Sequence, residues 1–416
     1  ITIVSFVCLC CGSLPLAEYF LTFVILMQTD TRKHILFLAR WYPHHYDPMY
    51  GLFVERHARA VAMYHDVSVI YIHPVEKHVK PFSEVFEETH FLEVKQYYPK
   101  SGLSGRIMSP FQYYRHFRKA YDTVLSKRGR PDIVHVNILT RVGVLARLLK
   151  LQYGIPYVIT EHWSRYLDRR DGYHGFLRKQ ITPNVVKNAG GLTTVTDNLR
   201  EAMEKYGLKN LRAVTVPNVV DVAFFRPPSH KEVHDKTIFI HLSCFEERSK
   251  NMSGILKAVK LLSERRQDFL LYMVGEGIDW EKAVQQAEED NLKDKFVYFT
   301  GLKQGAELLS LMQRADAMML YSHYENLPVV ILEAFSCGMP VISSDVGGIA
   351  EHLSAERGML IPPGDSRLLA DTMEKMMMKL PEYDSESIRK YAENRFSMQV
   401  IGGQFNDLYQ KVLHEQ

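Results

Sequence analysis

The chain has 416 residues, 46% of them hydrophobic and 24% charged, with 24 Gly, 18 Pro and five Cys. That balance excludes intrinsic disorder, collagen-like repeats and a disulfide-stapled scaffold, and the length argues for two domains. A formal net charge of only +3 selects no class of partner by itself.

The first 26 residues are apolar, with Glu18 as the single charge and three of the five Cys at Cys8, Cys10 and Cys11. A membrane anchor needs about 20 apolar residues, so the stretch is long enough for one. A secretory signal would need a basic start, yet the first Lys or Arg is Arg32. Met27 opens a short polar run that feeds the apolar run 34–39, as the first strand of an α/β domain is often fed. The expectation is an upstream extension over 1–26 and a working protein from Met27, with an N-terminal anchor as the alternative.

From there short apolar runs alternate with helical patterns. Strands are expected at 34–39, 67–72, 132–137, 157–160 and 191–196, then at 238–243, 269–275, 296–301, 317–322, 340–344 and 359–361. Runs without strict alternation suit parallel strands buried on both faces. Helical spacing recurs at 53–64, 141–153, 198–206, 253–264 and 306–314. This is a βαβ pattern written twice, and Pro217, Pro227 and Pro228 mark the seam. The expected domains are 27–216 and 217–396, with a C-terminal helix over 397–416 packing back on the first. Residues 27–228 hold 30 Lys and Arg against 18 Asp and Glu, whereas residues 229–416 hold 21 against 29. The near-neutral total therefore joins a basic half to an acidic half, through either an anionic surface partner or scatter of surface charge. Residues 100–130 concentrate the excess, with eight Lys and Arg against one Asp among Phe111, Tyr113, Tyr114, Phe117 and Tyr121. A basic aromatic helix can lie on an anionic membrane; core aromatics beneath a solvated face are the other reading. No nucleic-acid-binding motif accompanies it.

The chemistry is concentrated in 322–352. A strand end leads into a loop carrying Glu325, Asn326 and Leu327. Pro328 is expected at the first position of a helix that runs to Cys337, where Gly338 supplies a left-handed stop. Amides at that helix start favour an anion. Glu325 beside them and Glu333 further along can accept hydrogen bonds from hydroxyls. Two carboxylates beside a phosphate site suit a nucleotide sugar. Thr160-Glu161-His162-Trp163 closes another expected strand, and carboxyl ends of strands are where open α/β sheets bind ligands.

Glu325-x7-Glu333, followed by Ala334, Cys337-Gly338, Pro340-Val341 and Asp345-x-Gly347-Gly348, resembles the donor-site signature of the family 4 glycosyltransferases. Pro217-Asn218-Val219-Val220-Asp221 resembles the family's interdomain segment, with Val219 for the usual Gly. Thr196-x-x-Leu199-Arg200 resembles its strand-to-helix turn, with Thr for the usual Ser. Val274-Gly275-Glu276-Gly277 resembles a loop that closes around the nucleotide. The resemblance covers 34–410 and implies a GT-B fold, two Rossmann-like α/β domains facing across a cleft. It implies a retaining transferase that moves a sugar from a nucleotide-sugar donor, such as a UDP- or GDP-sugar, to a hydroxyl acceptor. By the same resemblance, Glu325 with Asn326, Leu327 and Val329 holds the donor sugar, Glu333 the ribose and Lys250 the diphosphate. His162 sits by the reacting centre.

Two departures stand out. Cys244 occupies the position of the usual phosphate-binding Arg, and Arg248 either substitutes or points to solvent. Of the Gly-rich loop near the acceptor only Gly51 remains, at the end of Tyr42–Gly51. No Asp-x-Asp occurs, so no metal or other cofactor is expected, and Lys250 with helix amides would neutralise the diphosphate. The expected acceptor is a glycan or a lipid-linked glycan of bacterial polysaccharide or glycolipid synthesis. The expected location is the cytoplasm or the inner membrane face. A GT-B sugar-nucleotide epimerase and a non-catalytic scaffold are the alternatives.

Overall fold

The computed structural model describes residues 32–100, 105–139, 141–167, 172–232 and 234–414. The expectation for 1–26 lies outside the described residues. His34–Gln416 forms one compact unit.

The first domain contains β1 (His34–Ala39), α1 (Leu52–Ala62), β2 (Asp66–Val75), β3 (Phe82–Glu88), β4 (Phe91–Pro99), α2 (Gly105–Arg128), β5 (Ile133–Asn137), α3 (Arg141–Tyr153), β6 (Tyr157–Glu161), α4 (Phe176–Lys187), β7 (Gly191–Thr194), α5 (Asp197–Lys205) and β8 (Ala213–Thr215). Its strands form one sheet in the order β3-β4-β2-β1-β5-β6-β7-β8, parallel except for the β3–β4 hairpin. β1 is buried along its whole length and shows why the sheet needs cover on both faces. Leu36 and Leu38 join a core with α2 and α3, whereas Ile35 and Phe37 join a second core with α1.

The second domain runs β9 (Thr237–Leu242), α6 (Met252–Ser263), β10 (Phe269–Val274), α7 (Trp280–Glu289), β11 (Val297–Gly301), α8 (Gly305–Arg314), β12 (Ala317–Leu320), α9 (Val329–Ser336), β13 (Val341–Ser344), β14 (Gly358–Ile361), α10 (Ser366–Lys379) and α11 (Ser385–Phe396). Its sheet is wholly parallel, in the order β11-β10-β9-β12-β13-β14.

The last helix, α12 (Met398–His414), returns to the first domain. It buries Ile401, Phe405, Leu408, Tyr409 and Val412 in the core of α1, at the spacing of one helical stripe. Close approach is possible because Gly402 lacks a Cβ, which would lie 2.3 Å from the Ala60 carbonyl oxygen.

Of the aromatic residues in 100–130, Tyr113, Phe117 and Tyr121 are core, while Phe111 and Tyr114 remain exposed. The other departures are small. Pro328 caps α9 from just outside rather than occupying its first turn, and Gly338 takes the left-handed φ of 70° that stops it. Val219 stands where the resemblance would place Gly. Its backbone stays outside the left-handed region and its side chain is buried in the α1 core, so the position does not require Gly.

Candidate active site

A cleft of about 720 Å³ opens between the carboxyl ends of the two sheets. From the first domain Trp41, Tyr50, Phe53, His162, Trp163 and Ser164 line it. From the second come Cys244, Glu246, Ser249, Lys250, Tyr324, Glu325, Asn326, Leu327, Pro328 and Val329, with Asn218 of the linker.

On the second-domain wall, a short helical turn at Glu247–Lys250 carries Lys250 to the end of β9. Its ammonium pairs with Glu325 Oε1, and Ser322 Oγ donates to the same oxygen at 2.8 Å. Both side chains are largely enclosed. Burial by itself would lower the Lys250 pKa, but the Glu325 carboxylate, with Cys244 and Tyr324, more than offsets this and holds it above its ordinary value. The start of α9 has no side-chain cap, so its leading amides face the cleft as donors without a partner side chain. A cation from the turn after β9, a carboxylate from the loop after β12 and the helix N-terminus that follows it thus converge on one wall of the cleft.

On the first-domain wall, the buried Glu161 carboxylate organises the turn after β6. It accepts from the amides of Leu139 at 3.1 Å and of His162 and Trp163, each at 2.9 Å. His162 is thereby fixed with its ring against Phe53, at a centroid distance of 4.7 Å. Neither ring nitrogen of His162 makes a hydrogen bond of full geometry among the described residues, and the Asn218 side chain lies near enough to favour its protonated form slightly. Burial drives its pKa well below the ordinary value, and His57 and His135 add to the effect, so the ring is neutral near pH 7.

Asn326 links the walls. Its Nδ2 donates to the His162 carbonyl at 2.9 Å, and its Oδ1 accepts from Thr196 Oγ1 at 2.8 Å. The same Thr196 oxygen caps α5 by accepting from the Leu199 amide at 3.1 Å. Asn218 Nδ2 donates to the Leu327 carbonyl at 2.7 Å. Glu351 of the second domain accepts from the amides of Asp197 and Asn198 at the start of α5, at 2.9 and 2.8 Å.

His162, Lys250, Glu325, Asn326, Leu327 and Val329 therefore share one cleft. Glu333 lies behind it on α9 and is paired with Arg56 of α1 at 2.8 Å, both side chains being mostly buried. Arg248 is exposed and is not among the residues lining the cleft. Gly275 and Gly51 act through backbone shape. Gly275 has φ 138°, and a Cβ there would lie 1.9 Å from the Ser243 carbonyl oxygen, so Gly lets its loop cross the end of β9. Gly51 has φ 69° and brings α1 onto the Trp41–Tyr42 peptide, 2.4 Å from where its Cβ would be.

Sequence reasoning missed the aromatic wall and Arg56. Two of the chain's three Trp, Trp41 and Trp163, follow directly on β1 and β6, and that placement was an available signal. It also missed the floor of the first domain. There Asn137 is fully buried with neither amide atom partnered among the described residues. Next to it Ile138 holds a left-handed φ of 71° that a β-branched residue rarely adopts. In the turn after β6, burial lowers the Arg165 guanidinium pKa to about 10.

The fold agrees with that of known proteins. Residues 224–395 match the family described as Glycosyl transferases group 1, and residues 52–219 match the Glycosyl transferase 4-like domain. Among curated relatives, N-acetyl-alpha-D-glucosaminyl L-malate synthase of Bacillus anthracis is 25% identical over 363 residues, 81% of this chain and 92% of that one. Sucrose-phosphate synthase from Thermosynechococcus elongatus superposes with a TM-score of 0.72 at 18% identity, over 92% of this chain and 100% of that one. The Anabaena protein HepE, solved in complex with UDP-glucose, gives a TM-score of 0.67 at 17% identity, over 91% and 100%. At such identities the two structures speak for the fold, which is GT-B.

Proposed function

This chain belongs to the glycosyl transferases group 1 family, and from that premise we propose that it moves a sugar from a nucleotide-sugar donor to a hydroxyl acceptor with retention at the anomeric carbon and without a metal. The observation that carries the reading is the meeting of Lys250 with Glu325 at the uncapped start of α9, with His162 across the cleft. Lys250 and the α9 amides supply the positive potential for a departing diphosphate. Glu325, with the backbone of Asn326, Leu327 and Val329, holds the donor sugar. Glu333 serves the ribose hydroxyls, which requires Arg56 to share its carboxylate. His162, kept neutral by burial, contacts the sugar beside the reacting carbon.

In the transfer, the bond from the anomeric carbon to the leaving phosphate oxygen breaks as the acceptor oxygen bonds on the same face. The acceptor proton passes to the departing diphosphate, so the protein positions the reactants and stabilises the leaving group. The HepE complex with UDP-glucose supports a nucleotide-sugar donor. The acceptor is a glycan or lipid-linked glycan of polysaccharide or glycolipid synthesis, handled at the inner membrane face.

A thermal-shift screen of UDP-, GDP- and ADP-sugars identifies the donor, because a ligand that binds only the folded state raises Tm. With that donor and its acceptor, Lys250→Ala and Glu325→Ala each lower kcat/KM by about 100-fold or more. Full activity in both variants would refute the site. NMR of the product reads its anomeric configuration, and unchanged rates in EDTA are expected. Release of free nucleotide and isomerised sugar with no acceptor present would instead identify an epimerase.

A further inference from the structure

The first-domain wall of the cleft is built of rings. Trp41 and Tyr50 line it from the loop after β1, Phe53 from the first turn of α1 and Trp163 from the turn after β6. The four are contiguous, with Trp41 as the hub. Its ring centroid lies 5.0 Å from that of Trp163 and 6.2 Å from those of Tyr50 and Phe53. None of the four is fully buried, so core packing does not account for them.

The local chain holds these rings in place. Gly51 turns the loop back onto the Trp41–Tyr42 peptide, which sets Tyr50 and Phe53 beside Trp41. The loop is also tied to β4, where the Tyr42 hydroxyl donates to Glu93 Oε1 and the His45 amide donates to the Tyr97 hydroxyl at 3.0 Å. The Arg165 guanidinium lies over the Trp163 ring, 2.9 Å from its centroid, and is itself buried. A surface fixed in this way spends little entropy when a ligand arrives.

Charge and shape decide the ligand. His162 is held neutral and burial raises the Tyr50 phenol, so the first-domain residues lining the cleft carry no formal charge near pH 7. An acidic ligand would lose its water there and gain no counter-ion. The Trp41 plane is inclined by 58° to Trp163, 63° to Tyr50 and 87° to Phe53. Rings at such angles make a corner, not the parallel slot that clasps a flat aromatic ligand. A puckered pyranose suits a corner. The C–H bonds of its apolar face meet the negative face of an indole, while its hydroxyls stay in the polar part of the cleft. Trp163 directly follows His162, whose carbonyl accepts from Asn326 of the donor loop at 2.9 Å, so this wall borders the donor site.

We propose that Trp41, Trp163, Tyr50 and Phe53 form a stacking platform for an uncharged pyranose ring of the acceptor, with Trp41 as its main specificity-determining residue. The platform deepens the sugar-transfer reading, on which it rests, by naming the part of the acceptor that the first domain holds.

Tryptophan fluorescence reads this wall without any need for transfer. Two of the three Trp belong to it, and Trp280 packs on Phe245 and Phe299 in the second domain. The probes are the methyl pyranosides of glucose, galactose and mannose, with glucuronate, glucose 6-phosphate and benzyl alcohol for comparison. At least one neutral pyranoside gives a saturable change in emission, and the acids and benzyl alcohol bind about tenfold more weakly or worse. In Trp41→Ala, where Trp163 still reports, the Kd of that pyranoside rises about tenfold, and Trp41→Phe recovers most of the loss. With the donor identified, Trp41→Ala and Trp163→Ala each raise the acceptor KM about tenfold and leave the donor KM within about twofold. If Trp41→Ala fails to fold, Tyr50→Ala replaces it, since Tyr50 is 36% exposed and its loss raises the same Kd and KM. No response to any neutral pyranoside, tighter binding of an acid or of benzyl alcohol, or an unchanged acceptor KM in the variants would each overturn the platform. Pyranoside binding that Trp41→Ala weakens, in a protein that transfers no sugar from any nucleotide sugar, would leave the platform standing and refute the transfer reading.

Discussion

Cys244 is the residue at which this cleft is most individual, because the resemblance places an arginine there. Cys244 is exposed in the cleft, yet desolvation by the surrounding walls raises its thiol pKa and the nearby Lys250 ammonium only partly offsets that, so the thiol is protonated near neutral pH. It nonetheless lines the cleft beside Lys250. Iodoacetamide should therefore modify Cys244 slowly at pH 7 and faster as pH rises past the ordinary thiol range. A nucleoside diphosphate that raises Tm should slow the modification. Cys337, buried and pushed up to about 12, should stay unlabelled in the native protein. Peptide mapping by mass spectrometry reads all three, and unprotected labelling of Cys244 at saturating nucleotide would move the diphosphate away from Lys250. The single-residue features of the second-domain wall are legible in the sequence for a simple reason. Glu325, Asn326, Leu327 and Val329 occupy one loop entering one helix, so order along the chain is order along the cleft. The pairing of Arg56 with Glu333 is not legible, since it joins α1 to α9 across the domain interface and neither helix announces it.

At the scale of elements, parallel strands declare themselves and edge strands do not. β1, β5 and β13 are buried throughout because both sheet faces are covered, so largely apolar runs such as 34–39 stand out from their surroundings. β3 reads Phe82-Ser-Glu-Val-Phe-Glu-Glu88 with most positions exposed, and β4 is its one strand neighbour in the sheet. Its acidic side chains protect a sheet edge and hide the strand from any apolar pattern. Loops that pass close to strand ends depend on glycine, and two glycines separate the contributions to that dependence. Gly275→Ala combines an unfavourable φ with a Cβ 1.9 Å from the Ser243 carbonyl oxygen, so the loop must move. Gly129→Ala has a similarly positive φ of 74° but meets nothing within 4 Å. Urea unfolding should show a loss of about 1 kcal/mol for Gly129→Ala and a clearly larger loss for Gly275→Ala. Only Gly275→Ala should also weaken nucleotide binding. Equal losses would mean that close approach of the 275–279 loop to β9 contributes nothing.

Across the whole molecule, the two domains are joined by specific polar contacts as well as by apolar surface. Asn326 bridges Thr196 and His162, Glu351 caps α5, and His57 Nε2 lies 2.9 Å from the Pro217 carbonyl at the start of the linker. With a carbonyl as its partner, that nitrogen is the donor of a neutral His57 ring. His57 belongs to a buried group with His135 and His162, and His241 is similarly enclosed at the end of β9. Burial depresses all four, His57 and His241 to about 4. In the unfolded chain each titrates near its ordinary value of about 6.5.

The unfolded state therefore binds protons first as pH falls, and stability is complete above pH 6.5 and declines from there towards pH 4. Each such histidine costs about 1 kcal/mol per pH unit within that window. Glu161 and Glu351 act in the opposite sense. Burial raises both, so folding keeps their protons longer as pH rises, and acidification favours the native state through them. With His73 and His352 also depressed to about 4, the histidines outweigh the two carboxylates, so urea unfolding measured from pH 7.5 to 4.5 should show a steep fall beginning near pH 6.5. Mutual repulsion within the group carries the fall to lower pH, because a charge on His57 further disfavours charging His135 or His162. His162→Gln, which removes one titrating ring from the cleft, should make the fall shallower. Stability that stays flat between pH 7 and 5 would mean that these rings take up protons while the protein is folded, and the neutral His162 on which the proposed donor site depends would be lost with it.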